Sequence, residues 1–242
     1  MKSLSQRIGI LAYGEVIRLL RRPSGLFALL YGVIWGGIHG LIPRAPEPPA
    51  VTGALMGPSW HPAFLAVLSW VSFPIAFLLG VGSPLSQGRA WWRYIVPRQR
   101  QRIAVWLAIM GARVSLAGCY GISAIIAAAA AESLMRGSLT LPGVPAWWLI
   151  GGVLGAVWWA DALLVAFGKT PLALGIVLVA NYGIIMGVGT GEFAPSFLAP
   201  ALGPTLAAMV MHHHGACMAF WTLLTVCVGY GIGFYQFRSL SI

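Results

Sequence analysis

A basic stretch between two long apolar segments constrains the fold of this chain more than any other feature. Residues 84–102 carry five arginines and no acidic residue, and apolar segments flank them on both sides. Only 8% of the 242 residues are charged and 59% are hydrophobic, whereas a soluble domain carries roughly 25% charged residues. The flanking segments are therefore predicted to lie in a lipid bilayer, and the arginines between them in water at its surface.

The apolar segments predict an all-α integral membrane protein with six transmembrane helices, forming a single domain over residues 1–242. Each span needs roughly 20 apolar residues, and six segments meet this requirement: 24–42, 62–84, 103–131, 146–167, 171–188 and 216–234. Before the last span, Pro195, Pro200 and Pro204 interrupt apolar residues. This pattern predicts a re-entrant external segment of short helices, whose polar backbone groups need protein or water around them.

An N-terminal amphipathic helix is predicted over residues 4–22. Its apolar side holds isoleucines, leucines and Val16, and its polar side holds Arg7, Glu15, Arg18, Arg21 and Arg22. The apolar periodicity favours a helix that lies in the membrane interface over an ordinary basic flank of the first span. Pro23 is expected to end this helix.

The distribution of basic residues predicts the orientation. Twelve of the fifteen Lys and Arg residues fall on the side of the membrane that holds residues 86–102, and only Arg44 and Arg136 fall on the other. Short loops rich in Lys and Arg stay in the cytoplasm. Both termini are thus expected to be cytoplasmic, in a cell (inner or plasma) membrane. Orientation and contact with membrane lipids explain the net charge of +10, so no nucleic-acid partner is expected.

Several positions within the spans carry their own predictions. Gly32, Gly36 and Gly40 repeat every four residues in the first span, which allows close approach of another helix. Pro74 should kink the second span. His39 is interpreted as a boundary residue, and residues 132–145 as an external loop.

The order of these parts resembles a known family. After the second span, Trp91, Trp92 and Tyr94 are interleaved with arginines, and Pro97-Arg98 follows. A short inner turn joins the fourth and fifth spans, and a broken external segment precedes the sixth. This layout resembles the transmembrane permease subunit of ABC transporters of the ABC-2 type, a group of six-helix exporters, although Gln87 stands where an acidic residue is common in that family.

The resemblance implies a function and its partners. It implies that two permeases, either identical copies or paralogues, form the substrate pathway of an ATP-driven exporter and bind cytoplasmic ABC ATPase subunits. It also implies that residues 86–102 form the coupling loop. The residues expected to contact the ATPase are Gln87, Arg89, Trp91, Trp92, Arg93, Tyr94, Arg98, Arg100 and Arg102.

No catalytic site of the chain's own is indicated. Gly168-Lys169-Thr170 has the last three residues of a P-loop, but Leu163 occupies the place of its first glycine. ATP and Mg²⁺ are accordingly expected on the partner subunit, with no cofactor bound directly by this chain.

Arg113 and Asp161 are the ionisable residues expected well within spans. A lone charge at that depth costs roughly 2.5–3.5 kcal/mol, and pairing with each other would reduce this cost. One interpretation is a polar point on the substrate path or the dimer interface. The other is a structural ion pair that locks the third span to the fourth.

A cluster of soft and imidazole ligands suggests a different class of function. Thioether, imidazole and thiolate groups suit metals such as copper, and they occur together at Met209, Met211, His212, His213, His214, Cys217 and Met218. The alternative function is therefore a membrane subunit of a metal-handling enzyme or of a metalloenzyme assembly system. The other interpretation of the cluster is a chance histidine run in an interfacial loop, with Met and Cys packing in the last helix. A purely structural membrane anchor is a third hypothesis.

Overall fold

The structure is a computed structural model that describes residues 4–41, 64–81 and 102–137, with single positions at 150, 153, 154, 157, 175, 176, 179, 231 and 235. These ranges are all-helical. They form α1 (Leu4–Leu20), α2 (Pro23–Leu41), α3 (Phe64–Val81) and α4 (Arg102–Arg136). Apart from those single positions, the fourth, fifth and sixth predicted spans lie outside the described residues, as does the whole re-entrant segment.

The break between α1 and α2 falls close to its predicted place. α1 ends at Leu20, a two-residue turn follows, and Pro23 is the first residue of α2. Proline suits this position because its fixed φ matches the helix and its missing N–H would have no helical partner. The carbonyl of Arg22 accepts from the N–H groups of Gly25 at 3.0 Å and Leu26 at 3.3 Å, which starts the new helix.

α4 extends beyond its predicted end. The expected span ended at residue 131 with an external loop from Glu132, but the helix continues to Arg136. Gly137 follows with a φ of 65°, a conformation that glycine adopts easily at a helix C-terminus. The 35 residues make a helix about 50 Å long, well over the roughly 30 Å of a bilayer core.

Small residues join α2 to α4. A Cβ atom on Gly32 would overlap the ring of Tyr120, one on Gly36 the backbone of Ala124, and one on Gly40 the backbone of Ala128. Both helices advance by four residues between these contacts, so they run parallel. The predicted close approach at the three glycines is therefore confirmed.

α3 runs antiparallel to α2 and packs on the same core. Ser24 of α2 lies beside Gly80 of α3, and Tyr31 lies beside Ser72. At the centre, the rings of Phe73 and Tyr120 stack with centroids 4.4 Å apart, and Trp35 and Phe77 complete the cluster. The Tyr120 hydroxyl donates to the Phe73 carbonyl at 2.8 Å. Helix directions therefore alternate through α2, α3 and α4.

The distribution of side chains on α2 matches a helix in lipid. Most of its buried positions are small, and the full set is Gly25, Ala28, Gly32, Trp35, Gly36, His39 and Gly40. Its exposed positions hold large apolar side chains: Leu26, Phe27, Leu30, Val33, Ile34 and Ile38. A helix in water would bury the large apolar residues instead. Within the described residues, Pro23–Leu41 and Ile103–Arg136 are long and apolar enough to cross a membrane.

Candidate functional site

A buried carboxylate on α1 is the centre of the most polar site in the described residues. Glu15 shares one helical face with Leu11 and Leu19, because the three residues are spaced by four. Leu19 is buried in the core and Glu15 is only 4% exposed. α1 packs against α4 along this face, so the carboxylate points into the protein.

Two arginines converge on this carboxylate. Arg18, one turn further along α1, donates from Nε to Oε2 at 2.7 Å and from Nη2 to Oε1 at 2.6 Å. Arg113 of α4 places Nη1 3.7 Å from Oε1 and is 2% exposed. Its Nη1 also lies 3.5 Å from the carbonyl of Ile109. We call Glu15, Arg18 and Arg113 the ion triad.

The ion triad corrects the predicted position of Glu15. From the amphipathic pattern, Glu15 was predicted to lie on the polar, headgroup-facing side of an interfacial helix. The structure instead buries it against α4. The reason is electrostatic: Arg113 lies within an apolar helix, and a guanidinium there needs an anion and hydrogen-bond acceptors nearby. Asp161, the partner expected from the sequence, lies outside the described residues, so that pairing stays a prediction.

The signal that identifies Glu15 is present in the sequence. It is the only acidic residue before Glu47. It also interrupts the apolar row Leu11–Leu19 at the spacing that places all three side chains on one face. An isolated carboxylate in an apolar row indicates a buried ionisable residue that needs a cation nearby, but the pattern does not identify the residue that supplies it.

A second charged pair lies at the other end of α4. Arg136 Nη2 is 2.7 Å from Glu132 Oε1, one helical turn away. Glu132 is buried, and its Oε2 has no hydrogen-bond partner within the described part of the chain. The sequence had placed both residues outside the helix, so this pair was missed together with the end of α4.

His39 lies in the last turn of α2 and is buried rather than at an exposed boundary. Its Nδ1 donates to the carbonyl of Trp35 at 2.9 Å, and the two rings stack with centroids 3.9 Å apart. These contacts give the imidazole a packing role. In the described part of the chain, no group of three His, Cys, Asp or Glu side chains could hold a metal ion.

Two of the other predicted site residues lie within the described part of the chain. Arg102 is the first residue of α4, and Arg113 belongs to the ion triad. The remaining predicted ATPase contacts from Gln87 to Arg100, and the cluster from Met209 to Met218, lie outside the described residues. Comparison with protein-family models, with curated proteins and with solved structures gives no match.

Proposed function

We propose that this chain is the permease subunit of an ATP-driven exporter of the ABC-2 type. Two permeases, the second a copy or a paralogue, form the substrate pathway. A separate cytoplasmic ATPase binds ATP and Mg²⁺ and docks on residues 86–102. ATP hydrolysis on that partner supplies the work, and this chain converts the resulting displacement into rearrangement of its spans.

The observation that carries the proposal is the ion triad between α1 and α4. Arg102 closes the predicted coupling loop and opens α4, so a force on the loop enters this helix at its first residue. Arg113 lies about 16 Å further along the helix. There the ion pair between Arg113 and Glu15 joins α4 to α1.

The packing of α4 extends this connection to the first span. The glycines of α2 bring its backbone against Ala124 and Ala128, so a displacement of α4 meets helix backbone rather than flexible side chains. Closely packed interfaces transmit such displacements because they deform little. Loop, α4, α1 and α2 then act as one mechanical unit.

The first experiment tests whether the chain binds a separate ATPase. The affinity-tagged full-length chain, purified from its native membrane in mild detergent, should retain a protein that carries a P-loop and hydrolyses ATP. Simultaneous Arg98→Ala and Arg100→Ala substitutions should reduce the retained ATPase strongly, because they remove two cations from the docking loop. Recovery of the folded chain with no nucleotide-hydrolysing companion would contradict the proposal.

The second experiment separates docking from transmission. Among complexes purified with folded permease and bound ATPase, Glu15→Gln should reduce the effect of the permease on the hydrolysis rate. Glu132→Gln, which alters a comparably buried carboxylate at the other end of α4, is the matched control and should leave that rate unchanged. Equal rates in the wild-type and Glu15→Gln complexes would remove the ion triad from the coupling path.

A further inference from the structure

An apolar groove lies between α2 and α3, on the side of α2 opposite Val33. Its volume is about 380 Å³, and it is lined by Ser24, Phe27, Tyr31, Ser72, Ile75, Ala76, Leu79 and Gly80. Phe27 and Leu79 are 66% and 62% exposed, so the groove opens towards the surroundings of the helix pair. Its length, from Ser24 to Tyr31 along α2, is about 10 Å.

The groove arises from how the two helices meet. At one end, Gly80 packs against Ala28 and Ser24, and the Ser24 hydroxyl donates to the Gly80 carbonyl at 3.1 Å. At the other end, the Tyr31 and Ser72 hydroxyls are 2.5 Å apart. The polar side chains of the groove are thus already paired with each other or with backbone. The remaining lining is hydrocarbon, which suits an acyl chain better than a polar ligand.

Positive charge accumulates at the Ser24 end of the groove. Arg21 and Arg22 precede Ser24 by three and two residues, and Arg21 is exposed. The nearest acidic residue earlier in the chain is Glu15, which is already bound to arginines, and α3 contains none. Basic residues at a membrane surface attract anionic headgroups.

We propose that this groove holds one acyl chain of an anionic phospholipid, with the net negative charge of the headgroup near Arg21. The hydrocarbon lining selects the chain, and the basic turn between α1 and α2 selects the charge. The site requires only that α2 and α3 lie in a bilayer. It is independent of any ATPase, so its test does not depend on the proposed function.

The test uses the full-length chain in nanodiscs that contain a trace of photoactivatable phospholipid. Phosphatidylglycerol and phosphatidylcholine carrying the same diazirine acyl chain are compared, and cross-linked peptides are mapped by mass spectrometry. Phosphatidylglycerol should label peptides that contain Phe27 and residues 75–80 in preference to phosphatidylcholine. Arg21→Gln should lower that label about fivefold, the factor for roughly 1 kcal/mol per basic residue near an anionic surface, and leave phosphatidylcholine unchanged.

Two control variants are matched to the test variants: Arg7→Gln for the loss of charge and Val33→Phe for the added side-chain volume. Arg7→Gln removes the same charge from α1 far from the groove and should leave the label unchanged. Ala76→Phe should fill the groove and abolish the label, whereas Val33→Phe adds the same ring to an exposed position of another α2 face and should not. Equal labelling by the two phospholipids, with no change in Arg21→Gln, would show that the label comes from ordinary surrounding lipid. That result would overturn the proposal. Because Arg21 is exposed, Arg21→Gln should keep the packing of the helices.

Discussion

Arg113 shows how a single charge within an apolar helix determines the position of a second helix. Its side chain is 2% exposed, in a helix whose outward-facing side chains are mostly apolar. An isolated arginine at the centre of a spanning helix costs roughly 2.5–3.5 kcal/mol. Glu15 lowers this cost only if α1 packs on α4 at that level. The charge pair therefore selects one register of α1 against α4.

Replacement of Glu15 should cost more stability than replacement of Arg113. Glu15→Gln removes the negative charge that both arginines share and replaces one acceptor oxygen with an NH₂ donor, and breaking a buried pair in this way costs about 3–5 kcal/mol. Arg113→Gln leaves Glu15 with its two hydrogen bonds from Arg18, so the loss should be smaller. The measurement is the free energy of unfolding in detergent or lipid for both variants.

The double variant distinguishes direct coupling from two independent losses. The double variant Glu15→Gln with Arg113→Gln should be less destabilised than the sum of the two single effects. It removes both charges of the pair, so neither residue is left as a buried charge without its partner. Strict additivity would show that the 3.7 Å approach of Arg113 to Glu15 contributes nothing to stability.

Sequence periodicity could group Glu15 with a helix face but could not say what covers that face. Apolar residues, headgroups and another helix all favour the same amphipathic pattern along α1. The choice between them depended on Arg113, which lies 98 positions later in the chain. Contacts at such a separation leave no local trace in periodicity.

At the scale of elements, the close-packing glycine face of α2 was the most predictable feature. Glycine at every fourth position marks a face without side chains, and such a face favours close backbone approach. The partner face was not predictable, because Tyr120, Ala124 and Ala128 lie within a long run of small residues. The structure adds the register: Gly36 opposes Ala124, and Gly40 opposes Ala128.

Adjacent glycines of α2 provide a matched test of this packing. Gly36→Ala should destabilise the protein by about 1–3 kcal/mol, since the new methyl group would overlap the backbone of Ala124. Gly37→Ala should be neutral or stabilising by up to roughly 1 kcal/mol, because a Cβ there meets nothing within 4 Å and alanine favours the helix. Thermal unfolding of both variants checks this, and an equal response would contradict the described register.

The end of α4 was missed for a local reason. Hydropathy falls at Glu132, and an apolar criterion stops the span there. The helix continues because Glu132 pairs with Arg136 one turn later and Gly137 provides the terminating conformation. Charge spacing and the C-terminal glycine, rather than hydropathy, mark this boundary.

Across the described parts of the molecule, features set by local sequence could be predicted, and contacts between residues far apart in the chain could not. The bounds of α2 differ from the predicted 24–42 by one residue at each end, and α3 lies within the predicted 62–84. Both depend on local composition and on proline. The pairing of α1 with α4 and the groove between α2 and α3 depend on side chains far apart in the chain, and local pattern could not reveal them.

The orientation of α4 tests the account most directly, because the proposed coupling requires residues 86–102 to face the cell interior. Single cysteines replace Arg98 and Met135, near opposite ends of α4, in a variant without Cys119, Cys217 and Cys227. A membrane-impermeant maleimide added to intact cells should label Met135→Cys at once and Arg98→Cys only after permeabilisation. Labelling of Arg98→Cys in intact cells, with Met135→Cys protected, would contradict the account.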